Sequence, residues 1–343
     1  MSGKKGTRPA GRSGSGVKAK VGVKAKAGSG VGGVGVRAGA NSRVGLKTWT
    51  LAIRPATLPA SVSGVIVGLG AARATGVAFR VDTALGCMAV ALLLQIAANL
   101  ANDMSDFKKG ADTPDRLGPT RVAAAGLVTV RQLQAAIVVV LVTAAVVGGY
   151  LAFVGGPALL VLGAAAIVAA LAYTGGPLPY GYRGLGEVFV FIFFGLVAVV
   201  GTAELQSGRL EPLYFLAAIP VGTLTTAILV VNNLRDTDTD RAAGKRTLAV
   251  TFGKGFARAE YVACLVAAWA VPIGLLVAKL VGAALPVGPA LLLTLIALPL
   301  AIPLTRIVYS AGDPRALNPV LRITARLTLI FSLLFAAGLA VGH

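Results

Sequence analysis

The sequence predicts an all-α fold, a polytopic membrane bundle of nine transmembrane helices. Hydrophobic residues make up 56% of the 343-residue chain and charged residues only 13%, about half of the charged share in ordinary soluble domains. Apolar runs of about 20 residues recur, which is the length that a helix needs to cross the hydrocarbon core of a bilayer. The short alternating segments that are typical of a transmembrane β-barrel do not occur.

Nine apolar runs qualify as membrane spans, and polar connections separate them. Pro272, Pro299 and Pro303 fall in such runs, where a packed bundle tolerates a kinked helix. The predicted spans are roughly residues 57–73, 83–102, 134–153, 157–173, 187–204, 213–233, 259–279, 284–303 and 324–342.

The distribution of basic residues predicts the orientation of the bundle. If the N-terminus is cytoplasmic and the spans alternate, the cytoplasmic side has 17 basic residues, counting Arg54 before the first span and Arg326 at the start of the ninth, and the opposite side has four, without counting the N-terminal tail. Cytoplasmic connections of membrane proteins carry such an excess of lysine and arginine. We therefore expect a cytoplasmic N-terminus and an external C-terminus.

Residues 1–46 differ from the rest of the chain and are predicted to be a disordered basic tail. Residues 1–47 hold 11 of the 32 basic residues and no acid, in a background of glycine, alanine and valine without aromatics. Such a composition does not build a core. The tail is interpreted as a solvated extension or as a contact with anionic lipid head groups. No nucleic-acid partner is expected, because no aromatic residues interleave with the charges. Residues 47–343 form the predicted transmembrane domain.

The few histidines and cysteines exclude several classes of catalytic site. The chain has one histidine, His343, so catalysis by a Ser-His-Asp or Cys-His arrangement and a histidine-bound zinc ion are excluded from the core. Cys87 and Cys264 lie in separate apolar runs and are interpreted as buried hydrophobic residues.

Seven of the 13 acidic residues fall in two short stretches. The first acidic stretch, "NDMSDFKKGADTPDR" (102–116), follows the second span, and the second acidic stretch, "NNLRDTDTDRAAGKRTLAV" (232–250), follows the sixth. A solvated loop of mixed charge is the simple interpretation, and it suits Asp112, Asp115 and Asp238. It suits the remaining polar residues less well, because they adjoin apolar helix.

Steps of four residues recur in both stretches. The first contains Asn102 and Asp106, and the second contains Asn232, Asp236 and Asp240. Side chains four residues apart stack on one face of a helix. We therefore expect each stretch to continue a transmembrane helix and to present a polar stripe on one face.

Carboxylate and amide oxygens without histidine or cysteine suit a hard cation, above all Mg²⁺. Mg²⁺ in proteins commonly uses one or two carboxylates together with the phosphates of a substrate. Basic residues flank both stretches and would serve the phosphates. They are Lys108, Lys109, Arg116 and Arg121 at the first and Arg235, Arg241, Lys245 and Arg246 at the second. The pattern predicts a diphosphate clamp for a lipid-soluble ligand.

The two acidic stretches resemble the paired Asp-rich motifs of the UbiA superfamily of membrane-embedded aromatic prenyltransferases. Four further stretches are similar to the branch that acts on 1,4-dihydroxy-2-naphthoate in menaquinone synthesis. They are "RPATLPASVSGVIVG" (54–68), "RLGPTRVAAAGLV" (116–128), "YTGGPLPYGYRGLGEVFVFIFFG" (173–195) and "GKRTLAVTFG" (244–253). The resemblance covers about residues 47–343 and implies nine transmembrane helices and an isoprenyl diphosphate bound through Mg²⁺.

The resemblance implies roles for the residues at matching positions. Asn102, Asp106, Asp236 and Asp240 match the positions that bind the metal and the diphosphate, and the three aspartates act in catalysis. Asp103 lies inside the first motif and is the fourth predicted catalytic aspartate, contributing its charge.

Substrate-binding roles also follow from the resemblance. Arg183 and Lys245 match basic residues that contact the diphosphate, and Lys108 lies beside the first motif. Gly110 stands where the superfamily often has an aspartate, and Asp112, two residues later, is the candidate substitute. Arg54 is either an interfacial anchor or a contact for the carboxylate of the aromatic acceptor.

The implied reaction transfers a long isoprenyl group from a polyprenyl diphosphate to 1,4-dihydroxy-2-naphthoate, with loss of CO₂ and diphosphate, and gives demethylmenaquinone. Mg²⁺ neutralises the leaving group, and Asp103 or Asp112 is the candidate acceptor of a phenolic proton. The implied location is the inner or plasma membrane, with the site facing the cytoplasm and the isoprenyl tail in lipid.

Other functions are weighed against this one. A cation-coupled transporter would place acids near the middle of several spans, whereas Glu187 and Glu204 lie near helix ends. A CDP-alcohol phosphotransferase concentrates its aspartates in one longer motif. Within the superfamily, 4-hydroxybenzoate, homogentisate or haem is the rival acceptor.

Overall fold

The computed structural model of the protein describes residues 44–110 and 117–342, and in these ranges every regular element is helical. The α-helices are α1 (Leu46–Ile53), α2 (Leu58–Ala74), α3 (Val81–Lys108), α4 (Val130–Gly155), α5 (Ala158–Ala172), α6 (Gly186–Val190), α7 (Ala198–Ser207), α8 (Pro212–Arg235), α9 (Thr237–Ala242), α10 (Leu248–Leu280), α11 (Leu298–Ser310) and α12 (Leu317–Ala340). A π-helix, Phe191–Val197, joins α6 to α7, and shorter 3₁₀ segments are Pro55–Thr57, Tyr180–Tyr182, Pro289–Ala297 and Pro314–Ala316. The predicted all-α fold is confirmed.

Eight helical segments of the described chain are long and apolar enough to cross a membrane, and they match eight of the nine predicted spans. The predicted fourth span coincides with α5, which has 15 residues. At 1.5 Å per residue α5 is about 22 Å long, less than the hydrocarbon core of about 30 Å. The count of nine spans and the orientation of the termini therefore stay predictions.

The surface of α4 shows that the bundle needs a lipid environment. Of an apolar 18-residue part of this helix, only 22% is buried inside the protein. Val138, Val142 and Val146 lie on its exposed side and are more than half exposed. Exposed apolar surface of this extent is unfavourable in water and favourable in hydrocarbon. The chain is a multi-pass membrane protein.

Two glycines of helix α2 allow neighbouring helices to approach closely. A Cβ atom on Gly68 would lie 2.6 Å from the carbonyl oxygen of Val199 in α7. A Cβ atom on Gly70 would lie 2.6 Å from the Cα atom of Ala336 in α12. The absence of side chains at both positions lets α7 and α12 pack directly on α2.

The first acidic stretch continues its membrane helix, as predicted. Helix α3 has 28 residues and ends at Lys108, so at 1.5 Å per residue it is about 42 Å long and exceeds the hydrocarbon core. Asn102, Asp103 and Asp106 lie in its last two turns. The side chains thus project from a rigid element.

The second acidic stretch does not form one continuous helix, and this part of the prediction was wrong. Helix α8 ends at Arg235, and α9 begins at Thr237, with Asp236 (φ −92°, ψ 7°) between them. The hydroxyls of Thr237 and Thr239 donate to backbone carbonyls three or four residues earlier, and such bonds bend helices. The backbone N–H of Asp240 still donates to the carbonyl of Asp236, at 2.7 Å. The four-residue spacing therefore survives the break.

Candidate active site

Asp106 of the first acidic stretch is buried, with an exposed fraction of 2%. Its Oδ2 atom accepts a hydrogen bond from Nη2 of Arg121 at 2.7 Å, and its Oδ1 atom accepts one from the hydroxyl of Tyr182 at 2.8 Å. Two donors from separate connections hold this carboxylate in one orientation. A charge-assisted bond of this length is among the stronger kinds in proteins.

Asp103 faces the loop that carries Arg121. Its two carboxylate oxygens accept hydrogen bonds from the backbone N–H groups of Val122 and Ala123, both at 3.1 Å. Nη2 of Arg54 lies 3.8 Å from Oδ2 of Asp103. Arg54 ends α1 in the left-handed region, with φ 55°, which is rare for a residue with a side chain. Asp103 thus fixes both the loop and Arg54.

A buried arginine organises the second acidic stretch. Arg235 is 2% exposed and binds Asp236 through two bonds, from Nε to Oδ1 at 2.8 Å and from Nη2 to Oδ2 at 2.6 Å. Nη2 also donates to Asn232, and Nη1 donates to Asn318 of α12 at 2.9 Å. The side-chain amide of Asn318 donates in turn to the carbonyl of Leu117, at 3.0 Å. This chain of bonds links the second stretch to the residues that follow the first.

Asp240 lies within electrostatic reach of the first stretch. Its Oδ1 atom is 3.1 Å from Nζ of Lys245. Burial raises the pKa of the Asp240 carboxyl, and the charges of Asp236 and Asp106 act in the same direction, against Lys245, which lowers it. Nζ of Lys245 also lies 4.8 Å from the centre of the Tyr182 ring, and the hydroxyl of Tyr182 donates to Asp106, so Asp240 and Asp106 belong to one site.

Tyr182 joins the two stretches to the connection between α5 and α6. Nζ of Lys109 lies 4.7 Å from the centre of its ring, and Nζ of Lys245 lies 4.8 Å from it. Each lysine therefore forms a cation–π contact with Tyr182. Lys109 also donates to the carbonyl of Thr174, at 2.6 Å. Lys108, the predicted substrate-binding residue, is exposed at the end of α3. Its neighbour Lys109 contacts the site instead, because consecutive residues of a helix point to different sides.

Basic residues line an open cavity beside Tyr182. The cavity has a volume of about 530 Å³, and Arg183 and Arg246 contribute cationic side chains to its wall.

Asn102 lies in the first acidic stretch, and its side-chain oxygen accepts a hydrogen bond from the hydroxyl of Thr174, at 2.9 Å. Predicted residue Asp112 lies outside the described residues.

The oxygen atoms at this site suit a metal ion that takes part of its coordination from a bound substrate. Within residues 44–110 and 117–342, no three His, Cys, Asp or Glu side chains form a metal cage. Asp106, Asp236 and Asp240 are each paired with a cationic side chain, and only oxygen ligands converge here. Mg²⁺, which accepts a few carboxylates and completes its shell with water and phosphate, fits this set.

Sequence reasoning found the acids but missed how they are held. The roles of Tyr182 and Asn318 depend on contacts between residues 76 and 83 positions apart. No local pattern marks such contacts. The sequence does place Arg235 directly before Asp236 in the second stretch, which is a sign that the two side chains could pair.

Comparison with known proteins gives close relatives over most of the chain. The chain is 39% identical over 303 residues to 1,4-dihydroxy-2-naphthoate octaprenyltransferase of Escherichia coli, covering 85% of this chain and 95% of the relative. It is 40% identical over 295 residues to the protein of the same name from Mycobacterium tuberculosis, covering 86% and 97%.

Solved structures share the fold. A UbiA homolog from Aeropyrum pernix matches with a TM-score of 0.58 and 19% identity, over 88% of this chain and 99% of that one. A UbiA homolog from Archaeoglobus fulgidus, bound to GPP and Mg²⁺, matches with a TM-score of 0.55 and 14% identity, over 84% and 99%. The family model described as "UbiA prenyltransferase family" matches residues 61–324. With the relatives above, this match shows that the chain belongs to the UbiA prenyltransferase family.

Proposed function

We propose that this protein transfers a long isoprenyl group from a polyprenyl diphosphate to 1,4-dihydroxy-2-naphthoate, releasing diphosphate and CO₂ and forming demethylmenaquinone. The observation that carries the proposal is that Asp106 and Asp240, with Asp236 one helical turn before Asp240, are each paired with a cationic side chain beside an open cavity. The acceptor and the donor class are those in the names of relatives at 39% and 40% identity.

Cationic residues of the site would bind the diphosphate. Arg183 and Arg246 line the cavity, and Lys109 and Lys245 flank the ring of Tyr182. Fixed cations stabilise the negative charge that grows on diphosphate as the bond from its oxygen to C1 of the isoprenyl group breaks. These donors are in place before the reaction, so little reorganisation is needed.

Asn102, Asp106, Asp236 and Asp240 would hold Mg²⁺ with the diphosphate. When bound, the ion supplies charge neutralisation to the leaving group. The UbiA homolog of Archaeoglobus fulgidus is described with GPP and Mg²⁺ bound, which supports the same requirement here. Arg121, Arg235 and Lys245 keep the carboxylates in position and reduce their mutual repulsion.

An aromatic row would protect the reacting carbon from water. The ring of Tyr180 stacks on Phe189 at 4.0 Å between centroids, and Phe189 stacks on Phe193 at 6.2 Å. The row runs from the connection after α5 into the membrane helix, which is where the first isoprene unit would lie. Exclusion of water prevents hydrolysis of the allylic cation.

The acceptor ring attacks C1 of the isoprenyl group through the carbon that bears its carboxylate. Loss of CO₂ then returns the electron pair to the ring, so no base is needed for a ring proton. We propose Arg54 as the contact for the acceptor carboxylate. Asp103 acts as a positioning residue, because its oxygens accept two backbone N–H bonds and hold Arg54.

We further propose that the site faces the cytoplasm, in the inner or plasma membrane. The excess of 17 basic residues over four on the two predicted sides supports this orientation. The diphosphate then stays at the aqueous surface, and the isoprenyl tail lies in lipid.

A competition between acceptors tests the proposal. Purified protein with Mg²⁺ and a long isoprenyl diphosphate is expected to prenylate 1,4-dihydroxy-2-naphthoate and to leave 4-hydroxybenzoate unchanged, as measured by mass spectrometry of the extracted lipid. Product from 4-hydroxybenzoate and none from the naphthoate would refute the acceptor assignment.

Tyr182→Phe is expected to lower kcat/KM for the isoprenyl diphosphate. The change removes the hydroxyl that donates to Asp106 at 2.8 Å and keeps the ring between the two lysines. A hydrogen bond to a charged group is worth about 1.5–3 kcal/mol, which corresponds to about tenfold to a hundredfold in rate. Tyr150→Phe is the matched control, because Tyr150 donates to the exposed Asp82 at 2.7 Å. Equal rates for both variants would contradict the role of Tyr182.

A further inference from the structure

Two acids, Glu187 and Glu260, lie between membrane-spanning helices and belong to neither acidic stretch. Glu187 is 6% exposed, and its Oε1 atom accepts a hydrogen bond from the side-chain amide of Asn233 in α8, at 2.7 Å. Its Oε2 atom is buried and has no hydrogen-bond partner among the described residues. A buried carboxylate oxygen without a partner is unfavourable and, inside a membrane bundle, points to contact with a ligand.

The surroundings of Glu187 contain a second acid. Glu260 is half-buried in α10, which packs against α8, the helix that carries the Asn233 partner of Glu187. Among residues 44–110 and 117–342, the side-chain amide of Asn233 is the one hydrogen-bond partner of the Glu187 carboxyl. A carboxylate without a cationic partner attracts a hydrogen-bond donor.

Glu187 is adjacent to the diphosphate site. The ring of Tyr173 lies 5.4 Å, between centroids, from the ring of Tyr180, in the same short 3₁₀ segment as Tyr182, whose hydroxyl donates to Asp106. A Cβ atom on Gly186, the residue before Glu187, would lie 3.5 Å from the ring of Tyr173. Tyr173 is half-buried, and its ring adjoins both the backbone before Glu187 and the ring of Tyr180.

We propose that Glu187 is a specificity-determining residue of the acceptor pocket, whose Oε2 atom accepts a hydrogen bond from a ring hydroxyl of the aromatic acceptor. The inference rests on the proposed function, which supplies a hydroxylated aromatic carboxylate as the acceptor. A carboxylate accepts hydrogen bonds only, so it selects an edge of the ring that bears a hydroxyl. A hydroxyl bound in this way also donates electron density to the ring, which favours attack on the isoprenyl carbon.

Charge determines which edge of the acceptor enters. The acid pair repels the carboxylate of the acceptor and attracts its hydroxyl, so the ring has one favoured orientation. Repulsion of the wrong edge is as effective for selectivity as attraction of the right one. The orientation brings the hydroxyl to Glu187 and keeps the carboxylate-bearing carbon free to react.

Glu187→Gln tests the inference with almost no change of shape. The new amide oxygen keeps the bond from Asn233, and its NH₂ group stands where the accepting Oε2 atom was. Three ligands are compared, namely 1,4-dihydroxy-2-naphthoate, 1-hydroxy-2-naphthoate and 4-hydroxy-2-naphthoate, the latter two as competitive inhibitors. We expect the naphthoate KM and the inhibition constant of one analogue to rise about tenfold to a hundredfold, because each loses a bond to a charged group. The other analogue, which lacks the relevant hydroxyl, is expected to change less than about twofold.

The control is Glu204→Gln, the same substitution near the other end of the same helical segment, Gly186–Ser207. Thermal unfolding with Mg²⁺ and isoprenyl diphosphate checks that each variant folds and binds the donor. If Glu187→Gln does not fold, Glu187→Asp, which keeps the charge but withdraws the oxygen, is compared on the same three ligands.

An equal change for all three ligands, or no change for any, would overturn the inference. The first result would show a structural role for Glu187, and the second would show that no ring hydroxyl reaches it. Failure of the proposed function is distinguishable, because the unaltered protein would then give no product from the naphthoate. That result would remove the inference together with the function.

Discussion

Asp106→Asn and Asp236→Asn are each expected to lower kcat for prenyl transfer by about a hundredfold to a thousandfold, the usual effect of removing a fixed group that stabilises the transition state. Both carboxylates are held in one orientation by cationic partners, Asp106 by Arg121 and Asp236 by Arg235. An amide keeps the shape of the side chain but loses the charge that the proposed site for Mg²⁺ and diphosphate requires. The rates are measured with purified, folded protein at saturating substrates.

Asp238→Asn is the matched control within the same stretch. The Asp238 side chain is 62% exposed and pairs with Arg241 and Lys254 at the surface. Surface ion pairs contribute little to stability, so this variant is expected to keep nearly normal activity. Near-normal activity in Asp106→Asn and Asp236→Asn would contradict the metal–diphosphate site, and strong loss in Asp238→Asn would show that the effect is not specific.

Arg235→Met is expected to destabilise the protein by about 3–5 kcal/mol, the usual cost of removing one partner of a buried ion pair. The guanidinium is 2% exposed and donates to Asn232, Asp236 and Asn318. Without it, Asp236 keeps a charge that is largely enclosed, and the link to α12 is lost. Thermal unfolding in detergent measures the change, and prenyl transfer should fall as well.

Arg241→Met controls for the loss of a positive charge in the same stretch. Arg241 is 58% exposed, so its removal should leave the unfolding temperature almost unchanged. Arg235→Lys separates charge from geometry, because lysine keeps the charge but cannot form the two parallel bonds of a guanidinium. Equal unfolding temperatures for Arg235→Met and the unaltered protein would contradict the organising role of Arg235.

The sequence predicts the helices and the acidic faces well, since both depend on local pattern. Asp236 and Asp240 stand at the four-residue spacing of one helical face, as Asn102 and Asp106 do, and exposed Asp238 falls between Asp236 and Asp240, as predicted. The all-α fold follows from apolar runs long enough to span a bilayer. These features need no knowledge of distant contacts.

Other features depend on contacts that the sequence does not display. The break at Asp236 comes from threonine hydroxyls that bond backwards to the backbone and from a bidentate arginine next to it. The link from Arg235 to Asn318 joins residues 83 positions apart. Asp103 faces a loop instead of the diphosphate site because two backbone N–H groups happen to reach it. Tertiary packing decides each of these.

The central claim is that the site couples formation of the carbon–carbon bond to loss of the acceptor carboxylate. The direct measurement uses 1,4-dihydroxy-2-naphthoate labelled at its carboxyl carbon, with purified protein, Mg²⁺ and a long isoprenyl diphosphate. The expected result is one labelled CO₂ for each diphosphate released, and an unlabelled prenylated product. A prenylated product that retains the labelled carboxylate, or diphosphate released without CO₂, would contradict the claim.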